Sequence, residues 1–179
     1  MKTGLIKLVP ALLIVYFSGF AFADDTSIPV CPDGNAPRFE DYAVKPETLA
    51  GRATLKLNNE FSRMFQTRLQ DGLRDNPIAL AGHYIVVTFS CGSSCLYGGF
   101  VDAQTGQATA LPFALDSFGV LGVDDPLLTR ADSRLVVMRG IIRESGTPPL
   151  VIYYQWTGQR LQPVCSLTLK PLPVEEETR

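Results

Sequence analysis

The chain has 179 residues, 16 basic, 18 acidic and a single histidine, for a net charge of −2, with 46% of residues apolar. The basic residues form no cluster, which argues against nucleic acid and anionic membrane surfaces as partners, since both are held by grouped Lys and Arg. This length suits one domain with a true core, burying ~70% of its extended-chain surface.

The N-terminus is expected to be a secretory leader. Lys2 and Lys7 provide a positive start, 8–22 an apolar run, and Ala21-Phe22-Ala23 a small-residue cleavage signal. As a membrane anchor the run falls short of the ~20 residues that cross a bilayer, and Pro10, Ser18 and Gly19 interrupt it. A lipidated cysteine would directly follow small residues, whereas Cys31 follows Ile28-Pro29-Val30. Cleavage after Ala23 would leave 156 residues, 14 basic and 18 acidic. The product is expected in the periplasm or outside the cell, with no membrane insertion.

All four cysteines lie beyond the leader. An even number in an oxidising compartment favours two disulfides. Three pairings are possible. Cys91 with Cys95 and Cys31 with Cys165 is preferred, because the first two are close in sequence and the others flank the folded region. In the chain-entropy description the long bridge contributes ~5 kcal/mol and the short one ~2 kcal/mol.

Residues 24–57 read as an N-terminal arm. Its start is rich in Pro, Asp and Gly, and beyond Arg38 the expectation is a turn at 45–47 and a short strand at 53–57. Asn58 or Asn59 can cap a helix running to about residue 74, with Glu60 in the first turn. Phe61, Met64, Phe65, Leu69 and Leu73 share one side of that helix, opposite Arg63, Gln66, Gln70 and Arg74. Arg68 breaks the pattern, projecting within about 20° of Phe61. From His83 onward, β-branched and aromatic runs alternate with turn signals, predicting strands at 83–90, 96–102, 107–112, 119–123, 134–140, 150–156 and 159–164. Thr105-Gly106 and Thr157-Gly158 supply positive φ at turns, Asp124-Asp125-Pro126 breaks a ladder, and 146–149 is a loop. Residues 170–179 combine prolines with acidic residues and read as a disordered tail. Asp102-x-x-Thr105-Gly106 is like the turn joining strands in a β-propeller blade, but the chain is too short for a propeller of four or more blades and reads as one meander.

His83 is the base that any Ser-His-Asp or Cys-His chemistry would need. Ser90, Ser93, Ser94, Cys91 and Cys95 are the nearby nucleophile types, and Asp102 or Asp75 could orient the ring. No strand-turn-helix nucleophile elbow surrounds them, so a histidine bonded to a carboxylate or carbonyl is the leading expectation. Cys91 and Cys95 enclose three residues between strand-like flanks, unlike thiol oxidoreductases, and read as a structural staple. One histidine and paired cysteines supply no metal set, and no cofactor is expected. Arg68 needs a partner, with Asp102, Asp132 or Asp41 as structural candidates and an anionic ligand as the alternative. Arg68, His83 and Asp102 form the expected binding set. Tyr154 and Trp156 share a strand face and are core residues first, interface anchors second. Gly98-Gly99 within a strand marks a bulge or close approach.

The ordered phrases FQTRLQDG, AGHYIVVTFSCGSSC, VDAQTG, ADSRLVVMRG and YYQWTG resemble a family of small exported bacterial proteins with a GHY…CGxxC…VDxxTG signature. The resemblance covers about 61–161. Phe89 and Ser90 stand where that family would place a tryptophan. It implies a shared exported fold and no particular activity.

The expectation is therefore one disulfide-stapled α+β domain over 58–169, with an amphipathic helix on an antiparallel meander of six or seven strands. Its leading function is that of a noncatalytic binding module, an envelope inhibitor or immunity-type protein that uses the loop around His83 and Cys91 to Cys95 as its contact surface and whose partner is an envelope protein or small ligand. A small hydrolase using His83 as base is the alternative, and a thiol-disulfide protein using Cys91 and Cys95 a weaker one.

Overall fold

A computed structural model describes residues 28–116, 119, 121–142 and 148–169. The expected leader and tail lie outside these residues. Two short helices open the core of the chain, α1 (Glu60–Met64) and α2 (Gln66–Asp75). They are followed by strands β1 (Ile78–Leu80), β2 (Tyr84–Gly92), β3 (Cys95–Asp102), β4 (Ala108–Ala110), β5 (Leu115–Asp116), β6 (Leu127–Thr129), β7 (Leu135–Ile142), β8 (Leu150–Trp156) and β9 (Leu161–Thr168). All strand pairs are antiparallel in the order β1-β2-β3-β5-β7-β8-β9, with β4 added to β3 and β6 to β7. The class is α+β, with nine strands among the described residues rather than six or seven.

The first half of β2 and much of β3, β7 and β8 are buried on both faces, and successive side chains separate into different cores. Tyr84, Phe100, Val136, Met138, Ile152, Tyr154 and Trp156 form an inner core contributed by both halves of the sheet. The rings of Tyr84 and Phe100 lie 5.2 and 5.1 Å from that of Trp156. The opposite face of β2 and β3, with Ile85, Val87 and Val101, packs with Leu69 and Leu73 of α2 and with Leu55. The opposite face of β7 and β8, with Leu135, Val137 and Tyr153, packs with Cys31 and Cys165 and receives Phe39 and Tyr42 of the arm. Burying each such side chain contributes roughly 1.5–3 kcal/mol.

Residues 28–57 contain two 3-10 turns, Pro32–Gly34 and Phe39–Tyr42, and are integral to the domain. Cys31 is bonded to Cys165, and Cys91 to Cys95. The buried Ser133 hydroxyl donates to the Phe39 carbonyl at 2.8 Å, and the Val44 amide donates to the Asp132 carbonyl at 2.8 Å. Arg130 bridges Glu40 and Asp132. The Arg130 guanidinium holds the Asp132 carboxyl below the usual carboxylate range.

Several local expectations change. Residues 53–57 are not a strand: the Ala53 and Lys56 amides donate to the carbonyls of Ala103 and Gly106, at 2.9 and 2.8 Å. Residues 45–47 form no turn and run past Gly82, whose carbonyl accepts from the Glu47 amide at 3.1 Å. The described part of 119–123 is not a strand. It carries turns around Gly122, at φ 66°, and the strand forms after Pro126, where Leu127–Thr129 can pair with β7. Past Pro163 the last strand continues to Thr168, because β9 absorbs the proline at an irregularity opposite Tyr153 and Tyr154. Asn59 caps α1, accepting from the Ser62 amide at 2.8 Å, yet the helix breaks at Phe65, with φ −110° and ψ 26°. The Phe65 ring joins Phe61, Phe89 and Tyr97 at centroid distances of 5.4, 4.6 and 6.0 Å. α2 can dock closely because Gly72 faces Val87: a Cβ there would lie 2.4 Å from Val87 Cγ2.

Candidate functional site

The β2–β3 hairpin carries both of the features that drew attention in the sequence, at opposite ends. His83 precedes β2 and follows Gly82, whose amide donates to the Ala131 carbonyl at 2.7 Å. The His83 carbonyl accepts from the Ala103 amide at 3.0 Å. Its ring is clasped by carboxylates: Nδ1 lies 2.9 Å from Glu47 Oε1 and Nε2 lies 3.9 Å from Asp102 Oδ1. The side chains of His83 and Asp102 are 18% and 13% exposed.

Both carboxylates are further engaged. Asp102 Oδ1 accepts from the amides of Gln104 and Thr105 at 2.8 and 3.2 Å, and Oδ2 accepts from Thr105 Oγ1 at 2.8 Å. Gln104 Nε2 donates to Glu47 Oε2. Glu47, His83, Asp102 and Gln104 thus close a polar ring that fastens the arm to the hairpin turn. Gly106, at φ 76°, completes that turn where a side chain would collide with the Thr54 carbonyl. Beside the ring, burial raises the Tyr84 hydroxyl above its ordinary value.

Chemistry at the other end is out of reach of this histidine. Ser90 lies seven residues along the strand, about 23 Å away, and Ser93 and Ser94 lie beyond it. A general base must approach its proton donor to about 3 Å. His83 therefore cannot activate the tip serines in this fold. Asp75, the other carboxylate expected to orient it, pairs with Arg74 at 2.7 Å.

The Cys91–Cys95 disulfide closes the tip between strands, with Gly92 opposite Cys95. Ser90, Cys91, Gly92 and Ser93 are exposed, whereas Cys95 is buried. Neither cysteine sits at a helix N-terminus. Among the described residues, no group of three His, Cys, Asp or Glu side chains is placed to hold a metal ion.

Arg68 does not join His83 and Asp102. It is exposed, and its guanidinium stacks 5.0 Å above the Phe89 ring. Phe89 pairs with Tyr97 in the hairpin, five positions from the Tyr84–Asp102 pair. The three carboxylates expected for Arg68 are engaged elsewhere: Asp102 with His83, Asp132 with Arg130 and Asp41 with Arg38. The break at Phe65 offsets α2 from α1, so the spacing from Phe61 to Arg68 no longer describes one face. The same break leaves Met64 64% exposed instead of in the core. Glu47 escaped sequence reasoning because 36 residues separate it from His83 and its segment has no periodicity.

No family model matches the chain, nor does any curated protein or solved structure. Among the described residues, no helix is long and apolar enough to cross a membrane.

Proposed function

We propose that this chain is an exported, noncatalytic binding protein, of the envelope-inhibitor or immunity type, that meets a protein partner with the stapled end of the β2–β3 hairpin. The observation that carries this reading is the division of the hairpin. The only histidine is committed to two carboxylates at one end, while the exposed, disulfide-closed tip lies at the other. A short loop held by a disulfide loses little conformational freedom on binding, which favours recognition. The leader-like start, the two disulfides and the resemblance to exported bacterial proteins support the location.

A photo-crosslinking amino acid at Ser93, in protein expressed with its native leader, should yield a discrete adduct in the envelope fraction. Labelling by a fluorophosphonate probe should be absent. Labelling that disappears in His83→Ala would replace this reading with a hydrolase.

A further inference from the structure

Next to the tip, the break between α1 and α2 makes a shoulder with unusual chemistry. Met64 is 64% exposed there, at a shallow hollow of about 320 Å³ lined by residues 63–68. Exposed methionine is adaptable apolar surface, and Met, Arg and aromatic residues are enriched in the cores of protein interfaces.

The cations of this shoulder are uncompensated. Arg38, Arg74 and Arg130 each have a carboxylate within 3.1 Å, whereas among the described residues Arg52, Arg134, Arg139 and Arg160 have none, Arg52 and Arg139 donating to backbone carbonyls instead. Among the described residues, no carboxylate lies within 4 Å of Arg63 or Arg68. Arg63 donates to the Leu57 carbonyl at 3.3 Å. Glu60, one turn away, forms no ion pair with it, and Asp71 is taken by Arg74 at 2.9 Å. The Arg68 guanidinium carbon lies 5.0 Å from the centroid of the Phe89 ring, and among the described residues no hydrogen bond engages its donors, which leaves its fork available to a carboxylate. The Phe65, Phe89 and Tyr97 rings make the shoulder continuous with the stapled tip, since Phe89 and Tyr97 each lie two residues from a disulfide cysteine.

We infer that the Met64–Arg68 shoulder is the anchoring part of the interface, and that it takes a segment of a partner protein presenting an apolar side chain beside a carboxylate. The apolar group lies against Met64, and the carboxylate is held by Arg68 with Arg63 adding attraction at the rim. This inference rests on the proposed binding function and specifies its partner chemistry.

The test uses the chain from Asp24 onward and two fluorescein-labelled peptides, one with a central leucine flanked by glutamates and one with the glutamates replaced by lysines. Fluorescence anisotropy should show binding of the acidic peptide alone. Affinity should fall about tenfold in Arg68→Glu, less in Arg68→Lys, which keeps the charge but loses the fork, and it should fall in Met64→Ser and Arg63→Glu. Unchanged melting temperatures would separate these losses from unfolding. Equal binding of the two peptides, or of the acidic peptide to Arg68→Glu, overturns the inference. So does a dimer in sedimentation that Met64→Ser dissociates, which would make a second copy the occupant. A Ser93 adduct that persists in Arg68→Glu and Met64→Ser would refute the shoulder while leaving the binding function standing.

Discussion

The two ends of the β2–β3 hairpin are made of similar strand sequence and are put to different uses. At the His83 end, backbone and side chains are tied to the arm and to the segment before β7. At the Cys91 end, a short disulfide closes a loop whose first three residues face solvent. The His83 side chain is thus held against Glu47 and Asp102, and the Cys91 end is the more exposed of the two. A histidine near cysteines in sequence marks neither a site nor a shared location when a strand runs between them.

The sharpest way to break this contrast is through the disulfides. Replacing Cys31 and Cys165 with serine should lower the unfolding free energy by ~5 kcal/mol, against ~2 kcal/mol for Cys91 and Cys95. Urea denaturation under non-reducing conditions measures both, and equal losses would remove the distinction between fastening the domain and shaping its tip. Between the two ends, Gly72→Val should cost ~1–3 kcal/mol by forcing α2 away from Val87, visible as a lower melting temperature.

At the clasped end, His83→Ala should cost about 1–2 kcal/mol and release the Glu47 and Ala103 amides to hydrogen exchange. Ser93→Ala at the tip should stay within about 0.5 kcal/mol. A comparable loss from Ser93→Ala would mean that the tip is structural too. The smallest effect at neutral pH concerns Tyr154, whose hydroxyl is raised by burial to about 12. The fold favours the neutral phenol, so this stabilisation is complete below the ordinary tyrosine value near 10 and is lost as pH rises through about 12. A late phenolate absorbance change that coincides with loss of secondary structure would match. Early ionisation of every tyrosine would show that the inner core admits solvent.

Much of the architecture could be read from local pattern. The apolar runs at 83–90, 96–102, 134–140 and 150–156 fall on four of the long strands, because β-branched and aromatic residues suit a pleated surface buried on its faces. Asn58 and Asn59 were legible as cap candidates, of which Asn59 caps α1, and the preferred cysteine pairing is the one formed. The short strands β1, β5 and β6 were not legible, since two or three residues carry no period and owe their form to the neighbour they pair with. Of the candidate site, the approach of His83 to Asp102 follows from hairpin register, which sets Tyr84 opposite Asp102. Glu47 and the exposure of Met64 do not. The first needs a distant irregular segment, and the second needs a helix break imposed by the ring cluster at Phe65.

Sequence alone indicated where most of the long strands run, favoured one of three cysteine pairings, and showed no basic run along the chain. These properties depend on periodicity, spacing and composition, which are local or additive along the chain. Tertiary structure decided which charges meet. It gave His83 two carboxylates and left Arg68 stacked on Phe89 without one, because ion pairing depends on distances of a few ångströms between segments that sequence order does not relate.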